Sequence, residues 1–191
     1  MDLEDKSNLP VAVPHEIWSV QYEGKQMQVI ILPDSGVPVD RYQDVKENLL
    51  NLAHQLVKGV QFLHKLNIVH MDIRPNNLLV NDKGKLTIID FDCAEFTDVN
   101  LSSKGPLCEV EPDFGRIGTW TAPDAEQNPI SGDVYSCGAV ITRLMIISCR
   151  DDENAKLLKA LGMRMQASRF SNRPSLDEVE EEISRLIASE N

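Results

Sequence analysis

The stretch Asn67-Ile-Val-His-Met-Asp-Ile-Arg-Pro-Asn-Asn77 decides how the whole chain is interpreted. It places polar side chains between two apolar runs, and a further acid, Asp90, follows about one hairpin later. Reactive side chains on a short loop between buried segments are typical of a functional site that a rigid core supports. The sequence therefore predicts that residues 67–77 and Asp90 contribute to one site.

Composition limits the classes of function. The 191 residues include 30 acidic and 19 basic side chains, which gives a net charge of -11. We expect no nucleic-acid partner, because a nucleic-acid surface needs a positive field. With 42 % hydrophobic residues, the chain can bury one substantial core, so a single domain is expected.

The cysteines and the N-terminus indicate the compartment. The 4 cysteines contain no C-x-x-C pair, so the pattern signals neither a zinc site nor disulfides and favours a reducing environment. The N-terminus has no apolar signal core, and no apolar run approaches the ~18 residues of a membrane span. We expect a cytoplasmic protein without a membrane partner, and the nucleus stays open as a location.

Residue periodicity predicts an α+β chain that is mainly α. Residues 1–15 are expected to be a lead-in coil, since they contain two prolines among polar residues. Residues 17–22 and 27–32 predict a hairpin, which must pack on the rest of the chain because a lone hairpin is marginal in water. Residues 43–66 carry apolar side chains at helical spacing, so a core helix is expected there.

A second hairpin is predicted after the polar stretch. Residues 78–80 and 85–89 are its strands, and its open end is expected to hold Asn77 near Asp90. Residues 91–128 are rich in Gly and Pro, so a long irregular segment that the core supports is expected there.

Three helices are predicted in the last third of the chain. The helix that follows Asp133 is apolar nearly all round, which indicates burial on all sides. A charged helix is expected over residues 152–167. The last helix is expected after Ser175, which forms a capping-box pattern with Glu178 three residues later.

These motifs resemble those of the eukaryotic protein kinases, of the Ser/Thr type. His70, Asp72 and Asn77 have the spacing of the kinase loop H-R-D-x-x-x-x-N, and residues 90–92 stand at the position of D-F-G. Two further stretches match family patterns: Ala122-Pro-Asp124 resembles A-P-E, and Asp133-Val-Tyr-Ser-Cys-Gly138 resembles D-x-[WY]-S-x-G.

The resemblance covers residues 16–190 and implies one kinase-like domain. Residues 16–36 correspond to a residual small-lobe hairpin and hinge, and residues 37–190 to the helical C-lobe with short β-hairpins. No Gly-rich loop or V-A-I-K strand occurs in the sequence, so the family's phosphate cover and its lysine are missing. The resemblance also implies a salt bridge between Arg173 and Asp124.

The resemblance further implies roles for the polar side chains. Asp72 corresponds to the base that accepts the substrate hydroxyl proton, and Arg74 stands where a Lys reaches the transferred phosphate. Asn77 and Asp90 correspond to the ligands of Mg²⁺ (or Mn²⁺) bound with ATP. These residues therefore form the predicted catalytic and metal site.

An ATP pocket is implied as well. Adenine would meet backbone groups around Leu32 and Asp34 and would stack against Leu79. Two positions depart from the family pattern, because Met71 replaces an Arg that reads phosphate on the activation segment, and Asp92 replaces the Gly of D-F-G.

Two functions follow from these observations, and a third possibility is that another chain or a lost N-terminal segment supplies the small lobe. The first is a minimal protein-kinase-like protein with weak ATP-dependent transfer of phosphate to protein hydroxyls at most, because the phosphate-side groups are missing. The second is a noncatalytic pseudokinase scaffold that binds a partner protein through the face left open by the missing small lobe.

Purely structural roles stay open for several site residues. Asp72 and Asn77 could serve only to tie the loop together by side-chain to backbone hydrogen bonds. His70 is expected to pack under Phe91, and Asp133 is expected to be a buried brace for the loop backbone.

Overall fold

Helix α1 (Val45–Lys65) carries the core of this computed structural model, which describes residues 9–97 and 120–190. Its apolar side chains recur at helical spacing, and Leu49, Leu52 and Leu56 are fully buried. The predicted core helix is therefore confirmed.

Helix α2 (Pro129–Ser148) begins four residues before the predicted start at Asp133. The Asn128 side chain caps it by accepting the Ser131 N–H at 3.0 Å, and Pro129 is well suited to the first helical position. By length and composition α2 could cross a membrane, but 61 % of its apolar window is buried in the fold, and a core helix meets the same criteria. The expected burial of this helix is confirmed.

Helices α3 (Glu153–Met165) and α4 (Leu176–Glu190) complete the helical part, with α2 packed on α3 and α1 packed on α2 and α4. The predicted capping box opens α4. The N–H of Ser175 donates to Glu178 Oε2 at 2.8 Å, and the Glu178 N–H donates to Ser175 Oγ at 3.3 Å.

Strands β1 (Glu16–Tyr22) and β2 (Lys25–Ile31) form the predicted first hairpin. The turn residues Glu23 and Gly24 both have positive φ, as a two-residue hairpin turn requires. The hairpin does not pack on the rest of the described chain, however, and Trp18 is 52 % exposed. The expectation that it would pack there is wrong, because no described helix or strand outside the hairpin covers its apolar face.

That apolar face is made by alternate residues of the two strands. Trp18 and Val20 of β1 lie opposite Val29 and Met27 of β2, so the hairpin has one mainly apolar side and one side rich in Ser and Gln. The apolar face consists of Trp18, Val20, Tyr22, Met27, Val29 and Ile31.

The remaining strands are short and antiparallel. They are β3 (Val37–Pro38), β4 (Ile68–Val69), β5 (Leu78–Val80), β6 (Leu86–Ile88) and β7 (Glu95–Phe96). The order β3-β5-β6 forms one sheet, which includes the predicted second hairpin, and β4 pairs with β7 in another.

Gly36 connects the first hairpin to the sheet in a way that another residue could not. Its φ is 98°, and a Cβ atom there would lie 2.1 Å from the carbonyl oxygen of Val80. Only glycine fits this close approach of β3 to β5 without a backbone shift.

Part of the predicted lead-in coil is attached to the sheet. The Ile88 N–H donates to the Pro10 carbonyl at 2.8 Å, and the Ala12 N–H donates to the Ile88 carbonyl at 2.9 Å. Val11 thereby forms a parallel bridge to β6. The expectation of simple coil needs correction here, because the outer edge of β6 offers backbone groups that these residues can pair.

The predicted contact between Arg173 and Asp124 is present. Arg173 Nη2 donates to Asp124 Oδ1 at 2.5 Å, and the Phe170 N–H donates to Oδ2 at 2.7 Å. The Arg173 side chain is 1 % exposed, and its other nitrogens donate to backbone carbonyls of Ala167 and Ser131. Although burial opposes it, hydrogen bonds from Arg173 and Phe170 lower the pKa of Asp124.

We expect Asp124→Asn to lower the free energy of unfolding by about 3 kcal/mol, because a buried cation loses its counter-ion. The lowered folded pKa means that ionised Asp124 stabilises the wild type above the ordinary value of 3.8, and that this contribution is lost as the pH falls below it. Urea unfolding at neutral and acidic pH measures both effects. The control is Glu126→Gln, an exposed acid in the same turn; equal losses in the two variants would contradict the prediction.

Candidate active site

The backbone of the polar loop is held by one buried carboxylate. The N–H groups of His70 and Met71 donate to Asp133 Oδ2 and Oδ1, each at 2.9 Å. His64, at the end of α1, contacts Oδ2 through Nε2 at 2.9 Å, and Asp133 is 1 % exposed. Asp133 is therefore the predicted brace, and His64 is a supporting residue that the sequence reasoning missed.

His70 has the structural position expected of it. Its ring lies 4.9 Å from the Phe91 ring, centroid to centroid. Nε2 lies 3.0 Å from the Ile89 carbonyl and must donate to it, while Nδ1 accepts the Asp72 N–H at 3.3 Å. The two contacts together require a neutral ring with its proton on Nε2.

Asn77 ties the loop to Asp72. Its Nδ2 donates to the Asp72 carbonyl at 2.9 Å and to Asp72 Oδ2 at 2.7 Å. A single 3-10 turn, Pro75–Asn77, puts the amide in reach, and Asn77 is 6 % exposed. The loop-tying role is therefore real, and because Nδ2 makes both bonds, Asn77 Oδ1 is the amide oxygen available for other contacts.

The β5–β6 hairpin brings Asn77 and Asp90 to the same edge, as predicted. Leu78 pairs with Ile88, and one residue beyond that pair the Ile89 N–H donates to the Asn77 carbonyl at 3.0 Å. Asp90 comes next, is exposed, and has a φ of 64°. Asp tolerates this left-handed conformation better than most residues, so the side chain can be turned outward at low cost.

Several neighbours act on the pKa of Asp72. Burial raises the pKa of its carboxyl above the ordinary 3.8, and the nearby charge of Asp90 adds to this. The positive charge of Arg74 and the hydrogen bond from Asn77 act in the opposite direction. A cation beside the Asp72 and Asp90 carboxylates would offset this repulsion between their negative charges.

The metal-binding capacity of the site is limited. In residues 9–97 and 120–190, no group of three or more His, Cys, Asp or Glu side chains could hold an ion. Asn77 and Asp90 supply two oxygen donors, which a hard cation accepts if phosphate and water complete its shell. The residues therefore fit a half-site, and their metal role stays a prediction.

The predicted adenine contacts lie along the β2–β3 connection. Leu32 is 40 % exposed, and Asp34 Oδ1 accepts the Gly36 N–H at 3.0 Å, so this carboxylate serves a local turn. Leu79, on β5, pairs with Pro38 of β3. The β3–β5 pairing thus keeps this connection beside Leu79, while contact with a nucleotide stays a prediction.

Cys93 corrects the cysteine analysis. It is disulfide-bonded, three residues after Asp90, whereas Cys137 and Cys149 are free. The fourth, Cys108, lies outside the described residues. The expectation of no disulfides is therefore wrong, because pairing depends on the fold and scattered cysteines give no local signal for it.

We expect Asp72→Asn to raise Tm by about 2 °C at neutral pH, since a poorly solvated charge is removed while Asn can still accept from Asn77. The neutral carboxyl favours the fold below the ordinary pKa of 3.8, and this advantage is lost as the pH rises through the raised folded pKa. The gain should therefore shrink in acid. Thermal unfolding across pH measures it.

The matched control is Asp133→Asn. This variant loses one acceptor for the loop N–H groups and should lower the free energy of unfolding by about 2 kcal/mol. The prediction is that Asp72→Asn stabilises the protein and Asp133→Asn destabilises it. It is contradicted if both variants stabilise the protein or if neither does.

Comparison with known proteins agrees with these motifs. The family model described as a protein kinase domain matches residues 39–189. The chain is 30 % identical over 153 residues to the serine/threonine-protein kinase GIN4 of Saccharomyces cerevisiae, across 78 % of this chain and 13 % of that protein. It is 32 % identical over 97 residues to mitogen-activated protein kinase kinase 10 of Arabidopsis thaliana, across 50 % of this chain and 31 % of that protein. The chain thus spans less than a third of each relative's length.

Proposed function

Because this chain belongs to the eukaryotic protein kinase family, we propose that it is a minimal kinase-like protein that binds ATP with Mg²⁺ or Mn²⁺. It transfers phosphate to protein Ser or Thr hydroxyls weakly at most. The observation that supports this proposal is the position of Asn77 between the two acids. Its Nδ2 donates to Asp72 Oδ2 at 2.7 Å, and its carbonyl accepts from the N–H of Ile89, the residue before Asp90, at 3.0 Å.

Asp72 is the proposed base. Asn77 holds one of its carboxylate oxygens, so the other oxygen is the atom offered to the hydroxyl of a substrate. Its raised pKa makes it a stronger proton acceptor than an exposed aspartate, provided that it is ionised at the working pH. Arg74, whose charge acts on Asp72, would meet the phosphate being transferred, although its planar fork does not copy an ammonium group.

Asn77 Oδ1 and Asp90 are the proposed ligands of the cation. Both are oxygen donors, which Mg²⁺ and Mn²⁺ prefer, and two protein ligands leave room for phosphate oxygens. When bound, the cation supplies charge neutralisation at the phosphates. Asp90 is exposed, so a nucleotide and its cation can approach this residue.

We propose weak chemistry for these 191 residues acting alone, because two groups that stabilise the phosphates in the family do not occur among them. Their sequence has no Gly-rich loop and no V-A-I-K lysine. Loss of one preorganised donor costs ~10²- to 10³-fold in rate, and two such losses would cost on the order of 10⁴- to 10⁶-fold if they multiplied. Against a kinase turnover of about 1–100 per second, that leaves a very slow enzyme.

ATP with Mg²⁺ or Mn²⁺ should raise Tm by about 3–5 °C when the nucleotide is in roughly tenfold excess over its Kd. Neither ATP nor the cation alone should do so. The shift should disappear in Asp90→Ala, because that variant loses a cation ligand. Asp82→Ala is the matched control, since it removes the same charge at the other end of the β5–β6 hairpin. A shift without the cation, or one that survives in Asp90→Ala, counts against the proposal.

Phosphate transfer provides a separate test. With radiolabelled ATP and a basic protein acceptor, Asp72→Ala should incorporate about 10²- to 10⁴-fold less label than the wild type, since the base is gone. Asp82→Ala should match the wild type. Equal incorporation by wild type and Asp72→Ala would identify the activity as a contaminating kinase.

A noncatalytic scaffold is the second candidate, and the first hairpin favours it. Tyr22 is 63 % exposed and Met27 is 49 % exposed on its apolar face. Exposed apolar surface of this kind marks a protein-binding site in many proteins. Under this alternative a partner protein covers that face, and the cation-dependent shift with ATP is absent from a folded wild-type protein.

A further inference from the structure

A cavity lies apart from Asp72, Asn77 and Asp90 of the candidate active site. It has a volume of about 460 Å³ and lies between the end of α1, the start of α2 and the start of α4. Small-molecule sites have volumes of about 300–1,000 Å³, so this cavity is large enough for a small ligand. Its walls include His64, Lys65, Ile130, Ser131, Val134 and Leu176.

The polar part of the lining is rich in hydrogen-bond donors. Lys65 is exposed and has no ion-pair partner among residues 9–97 and 120–190. The Asn128 amide also lines the cavity. The Ser175 hydroxyl already donates to Glu178 Oε2 at 2.9 Å, and the one carboxylate in the lining, Asp177, accepts from Gln61 Nε2 at 2.7 Å. A ligand that brings acceptor oxygens would match these groups.

The apolar part of the lining lies beside those donors. Ile130 is 45 % exposed, and Leu176 and Val134 are buried behind it. A ligand made only of charged groups would leave this surface in contact with water. The lining therefore favours a molecule with one anionic end and one apolar end.

We propose that this cavity binds a small amphipathic organic anion. Its carboxylate or phosphate group accepts from Lys65, and its apolar part covers Ile130 and Leu176. Carboxylate and phosphate groups are both anions whose oxygens accept hydrogen bonds from an ammonium group. The test below compares one ligand of each kind to distinguish them.

Two residues that line the cavity also support the candidate active site. His64 lines the cavity and bonds to Asp133, which holds the loop N–H groups, at 2.9 Å. Arg173 also lines it and bonds to Asp124 at 2.5 Å. A bound ligand packs against both supports, so its binding energy stabilises the arrangement of the loop.

The test is an NMR titration of the full chain with four probes, which are phenyl phosphate, the carboxylate phenylacetate, inorganic phosphate and phenol. Phenyl phosphate should give saturable shifts in the amide signals of the lining residues and of His70 and Met71. Lys65→Gln should weaken it at least about fivefold, because a charge-assisted hydrogen bond is lost. Ile130→Glu should weaken it similarly by repulsion.

Two matched controls share the same helices. Lys46→Gln lies at the other end of α1, and Ile146→Glu lies at the other end of α2 at similar exposure. Neither should change binding. The proposal is overturned if the lining signals do not move, if control and cavity variants weaken binding equally, or if inorganic phosphate or phenol alone binds as tightly as phenyl phosphate. Tighter binding of the carboxylate or of the phosphate ester identifies which anion the cavity prefers.

Discussion

Asp133 joins three parts of the molecule that would otherwise be independent. Its carboxylate accepts the N–H groups of His70 and Met71 and contacts His64 at the end of α1. Met71 has a φ of 66°, which is costly for a side chain of its size, and the two hydrogen bonds at this point hold the strained backbone in place. The geometry of Asp72 and Asn77 depends on that restraint. The brace is effective because it is almost wholly buried, where water cannot compete for the N–H groups.

The helices and several of their supports could be predicted from the sequence because they have a local or motif signal, although α2 begins four residues before its expected start. The apolar period of residues 43–66 marks α1, and the Ser175 and Glu178 pair marks the start of α4. The contact between Arg173 and Asp124 joins residues 49 apart, and only the family resemblance could supply it. Sequence reasoning missed His64, since a histidine in the last turn of an apolar helix has no local feature that identifies its partner.

The errors share one physical cause, which is that edges and faces find partners only in three dimensions. Residues 10–12 contain a proline and look like coil, yet the free edge of β6 pairs with them. The first hairpin has the alternation of a half-buried sheet, yet no described element covers it. Cys93 has no nearby cysteine in sequence, yet it is disulfide-bonded. In each case the local pattern of residues does not determine which other part of the molecule the segment contacts.

Gly36 fixes the chain that joins the first hairpin to the sheet. At this residue the backbone approaches the Val80 carbonyl so closely that a methyl group would not fit, and β3 pairs with β5 immediately afterwards. The chain that leaves the hairpin is therefore fixed against β5 at Gly36, five residues after β2 ends. Residues 32–36 are thus the covalent connection between the exposed hairpin and the sheet whose strand β5 begins directly after Asn77.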